Sequence, residues 1–135
     1  MEAAARLNRR IRVLIADDHG LFAEALEAIL SGEERIEVVG RAGDGQQAVD
    51  LALELHPDVV LMDISMPVMD GFEATRRIRA ADPQSCVLML TGSNSPLDVD
   101  RARRAGVAGY VTKDRIAAQL IAAILEVAGL GEPLS

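Results

Sequence analysis

The chain predicts an α/β fold, a doubly wound parallel sheet of five strands with helices on both faces. Three observations lead there. Short apolar runs alternate with stretches of helical periodicity about five times along the 135 residues. Three of the runs are apolar at successive positions, as strands covered on both faces demand. The connections are short, which favours right-handed crossovers within one sheet. A chain of this length suits one domain.

Each element has its own warrant. The strand candidates are residues 11–16, 36–40, 58–62, 86–90 and 107–111. In residues 20–31, Phe22, Leu26, Ile29 and Leu30 form one stripe, with Glu24 and Glu27 off it. Residues 45–55 repeat Ala48, Leu51, Ala52 and Leu55 at helical spacing. Asp44 with Gln47, and Asp70 with Glu73, match the capping box in outline, so a third helix opens after Asp70. Ser95-Pro96 sets an N-cap before a proline at the first helical position, opening residues 96–105. That helix offers little apolar surface beyond Leu97, Val99, Ala102 and Ala105, and is expected to be weakly held. Ile116, Leu120, Ala123, Ile124 and Val127 define the last helix, residues 115–128. Gly129 is its expected C-cap, with Pro133 beyond. Residues 1–9 read as a lead-in, 10–129 as the domain, and 130–135 as the start of a linker or tail.

Composition excludes several classes. The net charge is −7, with no Trp, two Phe and one Tyr, so direct nucleic-acid binding by this domain is not expected. Arg101, Arg103 and Arg104 read as a solvated helix face, as do Arg76, Arg77 and Arg79. No apolar stretch approaches the roughly 18 residues of a membrane span, and the N-terminus lacks the apolar centre of a signal peptide. The one cysteine, Cys86, reads as an inert core thiol and fits a reducing cytoplasm. Neither a Walker-type phosphate loop nor a zinc-ligand cluster is present.

The polar residues that follow the strands carry the chemistry. Asp17 and Asp18 follow the first run, Asp63 the third, Thr91 the fourth and Lys113 the fifth. Ligands in doubly wound sheets bind beyond the carboxyl ends of the strands. One such residue alone is usually a turn former. Five after four different strands, if those strands are parallel neighbours, make a site for a divalent cation and a phosphoryl group. His19, next to the acid pair, reads as a solvent-facing residue at the helix start. His56 reads as a loop residue.

With Met66-Pro67 and Gly71 after Asp63, and Gly92 after Thr91, these residues resemble the response-regulator receiver domain, the CheY-like family, over residues 10–128. The opening Ile11-Arg-Val-Leu-Ile-Ala-Asp-Asp-His19, with Val38-Val-Gly40, Ala42-Gly-Asp-Gly45 and Pro57-Asp-Val-Val-Leu-Met-Asp63, is most similar to the NarL/LuxR type. The resemblance implies a flavodoxin-like (βα)5 fold with strand order 2-1-3-4-5. It implies that Asp63 accepts a phosphoryl group from a phosphohistidine on a sensor histidine kinase, the chain being a signalling acceptor and not a turnover enzyme. Mg²⁺ would be held by Asp18, Asp63 and the backbone carbonyl of Ser65, with Asp17 acting through water. Lys113 would contact the phosphoryl oxygens. Thr91 and Tyr110 would form the switch that alters the face of the fourth helix, fifth strand and fifth helix.

The implied partners are the kinase, through Leu21, Phe22 and Ala25, a second copy on phosphorylation, and DNA through a helix-turn-helix segment not contained in residues 1–135. Membrane partners are not expected, and the expected setting is the cytoplasm. Ser65 and Ser93 lie two residues past Asp63 and Thr91, at places that the resemblance implies tune dephosphorylation. Where many receivers have proline after the strand-five lysine, this chain has Asp114, and a trans peptide is expected because a non-proline cis bond costs roughly 2.5–4 kcal/mol.

Three other readings remain. Gly43-Asp-Gly45-Gln-Gln-Ala48 fits a dinucleotide fingerprint but leaves Asp17, Asp18, Thr91 and Lys113 unexplained. An aspartate-nucleophile phosphatase needs an acid where Ser65 stands. A receiver-like interaction module that is never phosphorylated would retain the fold alone.

Overall fold

A computed structural model describes residues 9–92 and 95–129; the expectations for the lead-in before residue 9, for Ser93 and for Pro133 lie outside the described residues. The chain alternates β1 (Ile11–Ala16), α1 (Gly20–Ser31), β2 (Ile36–Ala42), α2 (Gly45–Leu55), β3 (Val59–Asp63), α3 (Gly71–Ala81), β4 (Cys86–Thr91), α4 (Pro96–Ala105), β5 (Gly109–Thr112) and α5 (Ile116–Val127). The five strands are parallel, in the order β2-β1-β3-β4-β5. This is the flavodoxin-like topology expected.

Two cores lie on opposite faces of the sheet. Val13, Ile15, Val59, Leu61, Leu88 and Leu90 point to one, with Leu26 and Leu30 of α1 and Leu120 and Ile124 of α5. Leu14, Ala16, Val60, Met62, Val87 and Met89 point to the other, with α2, α3 and α4. The strand side chains alternate between faces while both faces are apolar, which is why the central strands read as continuous hydrophobic runs.

The helix starts follow local chemistry. The Asp44 carboxylate accepts from Gln47 N–H at 2.7 Å, and Asp70 accepts from Glu73 N–H at 2.9 Å. Neither box closes in the expected way. The Gln47 side chain accepts from Gly43 N–H instead, and Glu73 pairs with Arg76 and Arg77. Ser95 caps α4 through Asp98 N–H, with Pro96 at its start. Gly129 follows the α5 cap Ala128, at φ +80°.

Strand ends differ from expectation where neighbours decide them. β2 runs on to Ala42 because Val39 forms a bulge against β1, after which Leu14 pairs Gly40 and Ala16 pairs Ala42. β3 starts at Val59 because the Asp58 carboxylate is occupied, accepting from Arg12 N–H at 2.8 Å. β5 starts at Gly109, not Val107. Gly106, at φ +98°, turns the chain out of α4, and Val107 N–H still donates to the Ala102 carbonyl of that helix. A 3₁₀ turn, Lys113–Arg115, precedes α5.

Arg79 and Cys86 depart from their expected readings. Arg79 is not a solvated side chain: it donates to the carbonyls of Pro83 and Ser85 and so ties α3 to the start of β4. Cys86 is half-buried, not fully enclosed, with Sγ 3.4 Å from the Val127 carbonyl. Strand β4 begins there, at the rim of the sheet, so its first side chain is only partly covered. Among the described residues no helix is long and apolar enough to cross a membrane.

Candidate functional site

The ladder register sets the site. Ala16 pairs Met62, Asp63 pairs Leu90 and Thr91 pairs Thr112, so the next residues of β1, β3, β4 and β5 emerge along one edge. Asp17, Asp18, His19 and Asp63 each bring a ligand atom within 4.8 Å of the others. Lys113 Nζ lies 3.0 Å from Asp63 Oδ1, and its ammonium sits 4.7 Å from the centre of the Phe22 ring. Phe22, on α1, therefore braces Lys113 across the sheet edge, while Leu21 and Ala25 beside it are exposed.

The loop after Asp63 is tightly folded. Gly71 N–H donates to the Ile64 carbonyl at 2.8 Å, and a Cβ on Gly71 would stand 2.3 Å from the Asp63 carbonyl oxygen. Only glycine allows α3 to begin so close to the acid. Met69 N–H donates to the Pro67 carbonyl at 2.7 Å, a three-residue turn centred on Val68 at φ +70°. Such a turn is rare and strained, more so for a β-branched residue. The loop is also pinned from outside: a Cβ on Gly45 would lie 1.9 Å from the Met69 carbonyl oxygen. The glycine of the supposed dinucleotide fingerprint thus meets protein backbone, where a pyrophosphate would have to sit.

Asp63 is 3 % exposed and Asp17 4 %. Asp17 Oδ1 accepts from His19 N–H at 2.7 Å. The other oxygens, Asp17 Oδ2 and Asp63 Oδ2, have no hydrogen-bond partner among the described residues. Burial pushes the Asp63 carboxyl up from its ordinary range; Lys113 opposes this through its hydrogen bond and charge, while Asp17 and Asp18 reinforce it. The donor set fits a hard divalent cation such as Mg²⁺, which takes oxygen ligands and relieves carboxylate repulsion. Orphaned buried oxygens are what such an ion would satisfy.

The remaining expected residues fall nearby. Ser65 is exposed and lines, with Asp18 and His19, an open cavity of about 480 Å³. Thr91 is buried at the end of β4. Tyr110 is 43 % exposed and lines a recess with Ile64, Met89, Thr91, Asp98, Val99 and Ala102. No described peptide bond is cis, so Lys113–Asp114 is trans as expected. His19 is exposed, yet its Nδ1 lies 3.1 Å from Asp18 Oδ1, closer to the acids than a purely solvent-facing residue. His56, the α2 cap, adopts a left-handed conformation. Arg101 differs most from expectation. Its guanidinium lies 4.1 Å over the Phe72 ring and lines the same cavity as Asp18 and Ser65. The stacking ring is far away in sequence, so the arginine cluster carried no local sign of it.

Comparison with known proteins agrees with the sheet topology. The family model of the response regulator receiver domain matches residues 13–125. The transcriptional regulatory protein LiaR of Bacillus subtilis is 42% identical over 125 residues, 91% of this chain and 58% of that protein. The response regulator GacA of Pseudomonas aeruginosa is 39% identical over 117 residues, 87% of this chain and 55% of that protein. The chain spans about half the length of the curated relatives it matches. The signal receiver domain of the putative response regulator NarL from Mycobacterium tuberculosis superposes with a TM-score of 0.86 at 35% identity, covering 90% of this chain and 98% of that one. In sequence, sheet order and edge chemistry alike, the chain belongs to the response regulator receiver domain family.

Proposed function

We propose that residues 10–129 act as a phosphoacceptor receiver, with Asp63 taking a phosphoryl group from a sensor histidine kinase. The observation that carries this reading is the pairing of Lys113 with a buried Asp63 carboxylate inside a cluster of acids. Asp18, Asp63 and the Ser65 carbonyl would hold Mg²⁺, with Asp17 acting through water, and the ion would neutralise charge on the transferring group. Asp63 supplies the nucleophile. Lys113 stays beside the acceptor and offers a point positive charge to the phosphoryl oxygens. Catalysis of this kind is positioning and electrostatics.

The output is a population shift between two arrangements. Thr91 would move to the phosphoryl oxygens, and Tyr110 would turn into the recess lined by Val99 and Ala102. A tenfold shift needs only about 1.4 kcal/mol, within the reach of one charge-assisted hydrogen bond. α4, which buries only Ala102 and Ala105, is the element able to respond. Its change, with β5 and α5, would be read by a second copy or by a DNA-binding helix-turn-helix segment of a longer regulator in the cytoplasm. Kinase contact falls to the exposed Leu21 and Ala25 of α1.

Incubation with acetyl phosphate and Mg²⁺, followed by intact mass measurement, tests the reading. One phosphoryl adduct in the wild type and none in Asp63→Asn supports it. Continuous turnover of the phosphate donor would indicate a phosphatase, and no adduct a passive module.

A further inference from the structure

The mouth of the acid pocket presents a physical difficulty for phosphotransfer, since a dianionic donor must approach three carboxylates on a chain of net charge −7. Lys113 is engaged with Asp63 inside the pocket. The cation that lines the open cavity together with Asp18 and Ser65 is Arg101. It is presented by α4, and the only partner of its guanidinium among the described residues is the Phe72 ring. Phe72 is 2 % exposed and follows Gly71, the residue packed against the Asp63 carbonyl. The stacking platform is therefore rigidly tied to the acceptor. Stacking on a ring face orients a guanidinium without using its N–H donors, which remain free for phosphoryl oxygens. Arg103, on the same helix, is exposed and does not line the cavity; Arg104 pairs with Asp100 at 2.9 Å.

We propose that Arg101, held on Phe72 at the rim of the cavity, is the docking cation for the phosphodonor and sets how fast donors are captured at Asp63. The inference rests on the phosphoacceptor reading. In the step it serves, an Asp63 carboxylate oxygen bonds to phosphorus as the phosphorus–oxygen bond of acetyl phosphate breaks. The bonding pair leaves with acetate, and no proton is transferred. With a phosphohistidine donor whose other ring nitrogen already carries a proton, the phosphorus–nitrogen bond breaks, the bonding pair stays on that nitrogen and neutral imidazole leaves. Arg101 touches the donor's oxygens before and during approach, so its contribution lies in capture, where charge steering acts and salt screens it.

The test compares wild type, Arg101→Gln, Arg101→Lys and Arg103→Gln. Each is phosphorylated with acetyl phosphate and saturating Mg²⁺ at low and high ionic strength, with the adduct followed by intact mass over time. Arg101→Gln should lower the rate at subsaturating donor roughly 3- to 10-fold at low salt, with a flatter salt dependence and little change in the rate at saturating donor. Arg101→Lys should recover most of the loss, and Arg103→Gln should behave as wild type. An unchanged or faster Arg101→Gln overturns the assignment. So does an equal loss in Arg103→Gln, which would reduce the effect to net charge. The same four proteins with a phosphorylated kinase separate the two donor sources: a loss with acetyl phosphate alone limits the role to small donors, and a loss with both extends it to the kinase. A wild type that never gains a phosphoryl group removes the phosphoacceptor reading itself, a different result from normal transfer in all four.

Discussion

Replacing the proposed phosphoacceptor, Asp63, by its amide should make the metal-free protein more stable. Asp63→Asn keeps an acceptor facing Lys113 Nζ and removes a buried charge. It also places a donor where Asp63 Oδ2 has no partner among the described residues and an Asp17 oxygen lies close by. A buried unsatisfied polar atom costs about 1–3 kcal/mol. The Lys113 pair offsets little of this, since the lysine side chain is 29% exposed and a partly solvated pair contributes about 0–1 kcal/mol. The expected gain is therefore about 1–2 kcal/mol at neutral pH, or about 4 °C in Tm for each kcal/mol in a domain of this size.

The sign with pH follows from the direction of the Asp63 shift. Its folded-state carboxyl lies above the ordinary value of 3.8. The folded state thus holds its proton more tightly than the unfolded chain, and the wild-type penalty is complete above the folded value. It is relieved as pH falls from the folded value toward the ordinary one, so the gap between variant and wild type should narrow there. Mg²⁺ should reverse the order, because a ligand at 100 times its Kd adds about 2.7 kcal/mol to the form that binds it. Urea denaturation of both proteins, in EDTA and in Mg²⁺ and at several pH values, measures all three effects. An Asp63→Asn protein less stable than wild type in EDTA, or a gap indifferent to Mg²⁺, would show that the buried Asp63 charge is not a destabilising element that a cation relieves.

Three further outcomes are expected. Val68→Gly relieves a positive-φ β-branched residue, and the gain of about 1–3 kcal/mol is reduced by about 0.4–1 kcal/mol of added unfolded-state entropy, so a net rise in the urea midpoint is expected. Gly71→Ala forces a methyl against the Asp63 carbonyl, lowering stability by about 1–3 kcal/mol, and phosphorylation should slow at least tenfold because the acceptor is displaced. Lys113→Ala leaves burial of Asp63 less opposed, and should still permit slow transfer while abolishing the response. Tyr110 is the one tyrosine in a chain without tryptophan, so its fluorescence reports that response, changing on phosphorylation in wild type and not in Lys113→Ala.

Helix positions were legible because their signals are local. Asp44, Asp70 and Ser95 each announce a start through a backbone N–H three residues on, and residues 20–31, 45–55 and 96–105 are helical as expected. Strand ends were less legible because they depend on distant partners. Val107 looks like strand, but it completes the end of α4. The acids and Lys113 could be read because each follows an apolar run by one or two residues, and a parallel sheet necessarily aligns those ends. Arg101 could not, since Phe72 lies on another helix and nothing in the arginine cluster singles out one member. The strain at Val68 was equally hidden, because valine gives no hint of positive φ; the turn is imposed by Gly71 packing on Asp63 and by Gly45 packing on Met69.

In the proposed function one carboxylate among many receives the phosphoryl group, selected by burial, Lys113 and the neighbouring acids. Borohydride reduction of the phosphorylated protein, followed by peptide sequencing, locates it directly, since an aspartyl phosphate is reduced to homoserine. Homoserine is expected at position 63 and nowhere else. Homoserine at position 17 or 18, or spread over exposed acids, would contradict it.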